Sequence, residues 1–453
     1  MEALGFAARR PLHRAGLWQG VRHVPISRRA LQTRTRALLQ SPKPATTSHV
    51  VPIERRLVPS RSRSFATARH GGPTPQPVGE REAPRFAFAF DIDGVLLHES
   101  RPIPGASEAL SYLLENHIPY ILLTNGGGEH EKDRVAGLSE KLRVPLTTDN
   151  FVQSHTPFQE LAQGPGSLRE KTIFVTGSDA TKSREIAERY GFKNVVVPAD
   201  ILMAQPTIWP FDPLMESVYA STARPLPKPI YGSPGATTDA EALKIDAMFV
   251  FNDPRDWALD VQLITDLLLS RQGYLGTYSA LNGSKWQGDG QPDLYFSNKD
   301  LFWSSTYHLP RFGQGAFQAA VAGVWDQVTG GGEAGRLRRT VIGKPFAETY
   351  RYAERVLSRH REEVRRRAGH GGGGDGRAGL SSVYMVGDNP ESDIAGANEF
   401  KSEEGADWCS VLVRTGVWHP DRGEMKHQPR VIVDDVAAAV RWALRREGWK
   451  ADF

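Results

Sequence analysis

Cysteine is nearly missing from this chain of 453 residues: Cys409 is the only one. A disulfide framework and a thiolate metal cluster are therefore excluded within a single chain, and a reducing compartment is expected. Long apolar runs are missing too. No uncharged apolar stretch reaches eighteen residues, which excludes a conventional membrane-spanning helix. Acids are scarce at one end only. Residues 1–79 hold 14 Lys and Arg against Glu2 and Glu54, whereas residues 80–453 carry 42 basic and 50 acidic residues. The overall excess of positive charge thus belongs to the leader, and the acidic body argues against nucleic-acid binding. Tandem repeats are absent as well.

The leader is rich in Arg, Ser, Thr and Ala and has no apolar segment after its first arginines, so a mitochondrial transit peptide fits better than a secretory signal. It ends in "RSRSFATARH", where Arg61, Arg63 and Phe65 suggest a processing site. A solvated basic arm is the plainer alternative.

Beyond the Pro/Gly-rich linker, strand and helix patterns alternate. "FAFAF" (86–90) reads as a strand whose Phe/Ala alternation leaves one- or two-sided burial open. "GASEALSYLLENH" reads as a helix through Leu110, Leu113, Leu114 and His117, and "PYILLTNGGG" as a short apolar strand stopped by glycines. Strand, helix, strand within forty residues implies a right-handed βαβ unit and a parallel sheet. The alternation continues through "KTIFVTGS", "AMFVF" with a helix on Trp257, Val261, Ile264 and Leu268, the helix from Phe317, the strand "RRTVIGKP", a long exposed helix from Ala347, "SVYMVGDN" and "CSVLVRTG". Residues 204–243 read as loop, and "AGHGGGGDGRAG" (368–379) as a low-complexity surface insertion.

Four of these strands end in chemistry: Asp91 and Asp93, Thr124 and Asn125, Gly343 and Lys344, and Asp388 followed by Asp393. Ligands of parallel α/β sheets bind beyond the carboxyl ends of the strands. If the four ends meet, Asp91, Asp388 and Asp393 repel one another unless a cation joins them, and an all-oxygen set suits Mg²⁺. Lys344 adds a fixed positive charge. Thr124, Asn125 and the Gly126–Gly128 backbone add donors for an anion. Such a site suits a phosphoryl group. Asp91 can attack phosphorus to give an aspartyl-phosphate, while Asp93 protonates the leaving oxygen and then deprotonates water. Residues i and i+2 of an extended segment share a side, so both acids can face one substrate while Ile92 packs inward.

"DIDGVLL", "LLTNGGG", "IGKP" and "GDNPESDIAGAN" resemble, in order, the four motifs of the haloacid-dehalogenase-like (HAD) phosphatases. The roughly 220 residues between Thr124 and Lys344 resemble the class IIA subgroup. "QSHTP", "FSNKD" and "LPRFGQGAF" further resemble its branch typified by the cat-eye-syndrome-critical-region hydrolase, whose fungal members are often mitochondrial. The resemblance covers about residues 86–448. It implies an α/β fold with a Rossmann-like doubly wound parallel sheet as core (80–160 and 312–453), interrupted by an inserted α/β cap (161–311). It implies Asp91 as nucleophile and metal ligand, Asp93 as general acid/base with its carbonyl on the metal, and Thr124 on the phosphoryl oxygens. Lys344 would orient Asp91, Asp388 would ligate Mg²⁺, and Asp393 would hold Lys344 or a metal-bound water. Asn125 and Gly126 would contact substrate.

The expectation is a Mg²⁺-dependent phosphatase of a small phosphorylated metabolite in the mitochondrial matrix, with a glycerophospholipid-pathway ester as the substrate suggested by association. Dehalogenases lack the second acid, so Asp93 argues against their chemistry. A phosphomutase uses the same pair, and a catalytically idle scaffold is the alternative from another class. Many relatives pair through the cap, which leaves a homodimer open.

Overall fold

A computed structural model describes residues 84–449 apart from 212, 304, 306 and 369–378. The transit peptide expected over 1–79, and all but the two end residues of the loop 368–379, lie outside the described residues. Six parallel strands form the core sheet, in the order Val431–Val433, Asp407–Val413, Ser382–Gly387, Phe86–Phe90, Tyr120–Leu123 and Phe151–Val152. Numbered along the chain this is the order 6-5-4-1-2-3, a doubly wound sheet whose direction of growth reverses between Phe86–Phe90 and Ser382–Gly387.

The Phe/Ala alternation turns out to be two-sided burial. Phe86, Phe88 and Phe90 meet the helices Ala106–Glu115 and Val436–Arg446 on one face, through Leu110, Leu113, Val440 and Leu444. Ala87 and Ala89 meet Tyr350, Ala353 and Leu357 of helix Ala347–Arg367 on the other. Small residues on that face let the helix approach closely, and each buried Phe contributes about 2 kcal/mol of transfer free energy. Helix Ala347–Arg367 therefore differs from the expected exposed helix: Arg351, Arg355, Arg366 and Arg367 face water, but Tyr350, Ala353 and Leu357 form an apolar stripe and Arg361 is buried. In helix Ala106–Glu115, Leu114 points to solvent and the buried stripe runs through Ala106, Ala109, Leu110 and Leu113.

A second, five-stranded parallel sheet forms the cap, in the order Thr340–Val341, Asp293–Phe296, Ala247–Val250, Thr172–Thr176 and Asn194–Val196. The cap is larger than the expected 161–311. On its early side, the 3₁₀ helix Thr156–Ala162 packs Phe158 and Ala162 onto the cap sheet beside Phe249 and Phe251. On its late side, helix Gln314–Thr329 buries Phe317, Val321 and Trp325 against Leu263, Leu267 and Phe296. The two-residue strand Thr340–Val341, expected to run with the core, pairs instead with Tyr295 and Phe296 of the cap. The apolar stripe of helix Gln314–Thr329 completes the cap's second layer, which is why the chain returns to the core only past residue 341. Among the described residues of 204–243 lie the short helix Glu216–Thr222 and the 3₁₀ turn Pro206–Ile208. Among the described residues no helix is long and apolar enough to cross a membrane.

Candidate active site

The two central strands of the core end side by side, Phe90 opposite Val386. Asp91 follows the first and donates its N–H to the Val386 carbonyl at 2.9 Å, while Asp388 lies just past the second. The chain then turns sharply over residues 92–97, with Gly94 N–H bonded to Leu97 O at 2.7 Å. Gly94 sits at φ +86, and a Cβ there would lie 2.4 Å from Asp388 Oδ2. Only glycine gives both the left-handed turn and the room for that carboxylate.

Lys344 enters from the cap side and is almost fully buried. Its Nζ stands 2.8 Å from Asp91 Oδ1 and 2.6 Å from Asp393 Oδ1. Burial works against its charge, but Asp393 and Asp91 outweigh burial and raise its pKa. Asp393 uses its other oxygen to accept from Asn389 N–H at 3.0 Å. Asp91, Asp388 and Asp393 each offer an oxygen within 4.8 Å of the others, and all three are buried. Burial first, then the charges of Asp91 and Asp393, push the Asp388 pKa far up. Burial likewise raises Asp393 to about 6 against the pull of Lys344. Asp388 is held on the protein side by Val417 N–H, 2.5 Å from Oδ2. Three buried carboxylates offering hard oxygens so close together fit a divalent cation such as Mg²⁺.

Asp93 stands apart from this cluster, while Ile92 between the two acids is fully buried. Desolvation raises the Asp93 pKa although about half its side-chain surface (51%) remains open, and Arg134 opposes the rise from 3.9 Å. Gly126 brings the glycine loop alongside: a Cβ on it would lie 3.4 Å from Asp93 Oδ2 and 3.2 Å from Thr124 Oγ1. Gly126 N–H donates to Thr124 Oγ1 at 2.9 Å, which leaves the Thr124 hydroxyl proton free to face an anion. Behind the loop, Gly128 N–H donates to His155 Nε2 at 3.2 Å, and His155 Nδ1 lies 2.8 Å from the Tyr190 hydroxyl. Burial lowers the His155 pKa to about 4, so a neutral ring accepts from the glycine loop.

Asn125, expected to contact substrate, lies where core and cap meet. Its side chain donates to Asp300 Oδ2 and to Lys344 O, both at 2.9 Å, and accepts Lys344 N–H at 2.7 Å. Asn298 Nδ2 donates to Asn125 O at 3.2 Å. The amide side chain thus joins core and cap through three hydrogen bonds. Sequence reasoning missed two features here: the Gly416 approach to Asp388, where a Cβ would sit 1.9 Å from Oδ2, and Arg134 beside Asp93. A glycine shortly after the strand Asp407–Val413 was the available signal for Gly416. Arg134 gave none beyond a place on the helix that follows the glycines.

Fold and site together define a capped α/β hydrolase built around an acid–lysine cluster. Residues 88–193 match the family model described as haloacid dehalogenase-like hydrolase, and residues 341–439 match a HAD-hydrolase-like model. The mitochondrial hydrolase YKR070W of Saccharomyces cerevisiae is 38% identical over 372 residues, covering 80% of this chain and 96% of that protein. A cardiolipin synthase (CMP-forming) / mitochondrial hydrolase fusion protein of Schizosaccharomyces pombe is 37% identical over 399 residues, 86% of this chain. The chain spans just over half, 57%, of the length of that fusion protein. This chain belongs to the haloacid dehalogenase-like hydrolases. Among solved structures, a p-nitrophenyl phosphatase from Archaeoglobus fulgidus is similar at 15% identity and a TM-score of 0.49, covering 79% of this chain and 99% of that one.

Proposed function

We propose that the protein is a Mg²⁺-dependent phosphatase acting on a small phosphate monoester through an aspartyl-phosphate. The observation that carries this reading is Lys344 Nζ bridging Asp91 at 2.8 Å and Asp393 at 2.6 Å, with Asp388 completing the acid cluster. Lys344 engages Asp91 Oδ1, so Oδ2 is the oxygen turned to attack. Asp91, Asp388 and the Asp93 carbonyl would hold Mg²⁺, whose charge would offset that of the phosphoryl oxygens and of the clustered acids.

The chain's own groups supply the steps. Asp91 Oδ2 forms a bond to phosphorus as the ester P–O bond breaks, and Asp93, whose raised pKa favours the acid form, gives its proton to the departing alkoxide. Asp93 then takes a proton from water, which attacks phosphorus, releases inorganic phosphate and restores Asp91. The Thr124 hydroxyl donates to a phosphoryl oxygen throughout, while Lys344, oriented by Asp393, keeps Asp91 in line.

The test is phosphate release by the full chain from p-nitrophenyl phosphate and a panel of metabolite esters with Mg²⁺. Asp91→Asn is expected to lose at least about 10³-fold in kcat, and residual activity near wild type would remove the proposed nucleophile. Transfer of phosphate to a sugar phosphate instead of water would favour a phosphomutase, and silence on every ester an idle scaffold. The acid-poor leader and the mitochondrial relatives support a mitochondrial location, and a reporter joined to residues 1–79 that stayed in the cytosol would remove it. The fusion partner in the fission-yeast relative supports a phospholipid-pathway ester as substrate class, which the same panel tests.

A further inference from the structure

Resting on the phosphatase reading, we propose that Arg134 and Lys141 form a second anion subsite beside Asp93. Preferred substrates are then phosphate monoesters whose leaving group carries another carboxylate or phosphate.

Arg134 lies on helix Glu131–Leu142, directly after the glycine loop. Its Nη2 is 3.9 Å from Asp93 Oδ2, beyond hydrogen-bond length, and among the described residues no other acid pairs with its guanidinium. Nearby arginines are occupied: Arg189 reaches Asp133 at 3.0 Å and Arg184 reaches Asp200 at 2.7 Å. Lys344 is occupied as well, by Asp91 and Asp393. Lys141 follows Arg134 by two helical turns, on the same face. It too has no ion-pair partner among the described residues.

The direction of the chemistry turns this loosely held charge into a subsite. Asp93 serves the leaving oxygen, so whatever the leaving oxygen carries extends past Asp93. Arg134 borders that side, with Gly126 making room at the carboxylate. A guanidinium with free donors a few ångströms from the leaving group recognises a planar or tetrahedral oxyanion in bidentate fashion. A neutral leaving group would leave those donors to water. The plainer alternative is that Arg134 only offsets the Asp93 charge, and the two roles separate by substrate.

The experiment compares 3-phosphoglycerate with glycerol 3-phosphate, which share length and differ by a carboxylate against a hydroxymethyl group. The full-length protein should prefer 3-phosphoglycerate. In Arg134→Gln, kcat/KM is expected to fall about 10- to 100-fold for 3-phosphoglycerate, chiefly through KM, and at least tenfold less for glycerol 3-phosphate. Lys141→Gln, at a half-buried position, is expected to shift the ratio the same way by about three- to fivefold. Equal losses on both esters, or an unchanged ratio, would overturn the subsite and leave Arg134 as a partner of Asp93. Calorimetric binding of both esters to Asp91→Asn, with and without Arg134→Gln, gives the same comparison without turnover. Selective binding of 3-phosphoglycerate in a protein that hydrolyses nothing would uphold the subsite while the phosphatase reading fell, and equal binding would overturn the subsite.

Discussion

Gly416 is the sharpest lever on the acid cluster. A methyl group there would meet Asp388 Oδ2 at 1.9 Å and Cγ at 2.5 Å. Both contacts are impossible, so Gly416→Ala must part the loop and the carboxylate by at least about 1 Å. The loop is not free to recede, because Val417 N–H donates to the same Oδ2 and the Thr415 hydroxyl donates to Gly94 O, both at 2.5 Å. Metal–ligand distances tolerate about 0.2 Å, and Mg²⁺ is strict about its octahedron. Losing an outer support of a ligand lowers metal affinity about 10- to 100-fold. A direct push on the ligand belongs at the upper end, near 100-fold. The overpacking also removes about 1–3 kcal/mol of stability. The assay is phosphate release against Mg²⁺ concentration, paired with thermal unfolding with and without Mg²⁺. Half-saturation should rise by about two orders of magnitude, part of the rate should return at saturating Mg²⁺, and the Mg²⁺-linked gain in stability should shrink. Gly137→Ala is the control: its Cβ meets nothing within 4 Å on helix Glu131–Leu142, so it should stabilise slightly and leave Mg²⁺ half-saturation alone. A Gly416→Ala protein with the wild-type Mg²⁺ requirement would refute Asp388 as part of a cation site.

Two further perturbations test the frame around that site. Asn125→Ala deletes the clamp and strands Lys344 N–H in the interior, so urea unfolding should show a loss of about 2–4 kcal/mol; a loss under about 1 kcal/mol would contradict the clamp. Asp260, on helix Trp257–Leu269, has its pKa pushed up to about 8 by burial. The folded protein thus keeps a proton that the unfolded chain releases near pH 4, and the contribution of this group to stability declines as pH rises from about 4 to about 8. Asp260→Asn should flatten that decline and gain on the order of a few kcal/mol at pH 8 relative to pH 5; identical urea midpoint differences in both proteins would count against it.

The parts of the site that could be read in the sequence were those fixed by local chemistry. Asp91, Asp93, Lys344 and Asp388 each lie just past an apolar stretch, with Asp393 five residues beyond Asp388, and paired acids so placed have few other uses. What could not be read depends on pairing across long separations. Thr340–Val341 has the composition of any short strand, and its choice of the cap over the core is settled by Tyr295 and Phe296, some 45 residues earlier. Whether Ala87 and Ala89 faced a helix or water depended on helix Ala347–Arg367, over 250 residues away. Asn125 sits in a stretch that suits an anion-binding loop, so its side chain was read toward the substrate; its partners Lys344 and Asp300 lie 219 and 175 residues along the chain. Gly416 and Arg134 needed coordinates because their meaning is a distance to an acid on another segment.

The late return to the core has a consequence for Lys344. Strand Thr340–Val341 belongs to the cap sheet, and helix Ala347–Arg367 belongs to the core. Lys344 therefore lies within the short connection between the two domains, preceded by Gly343 at φ +86, where a Cβ would lie 2.4 Å from Ser297 O and 2.9 Å from Asn298 Cα of the cap. Its backbone is held from the core by Asn125, its ammonium by Asp91 and Asp393, and its preceding residue by the cap. A buried cation on such a connection takes its position from both domains at once. Asn125, bonded to Lys344 and to Asp300 together, couples that position to cap seating, because shifting the cap by an ångström breaks bonds on both sides of one amide. The four motif segments thus meet at a point that neither domain builds alone.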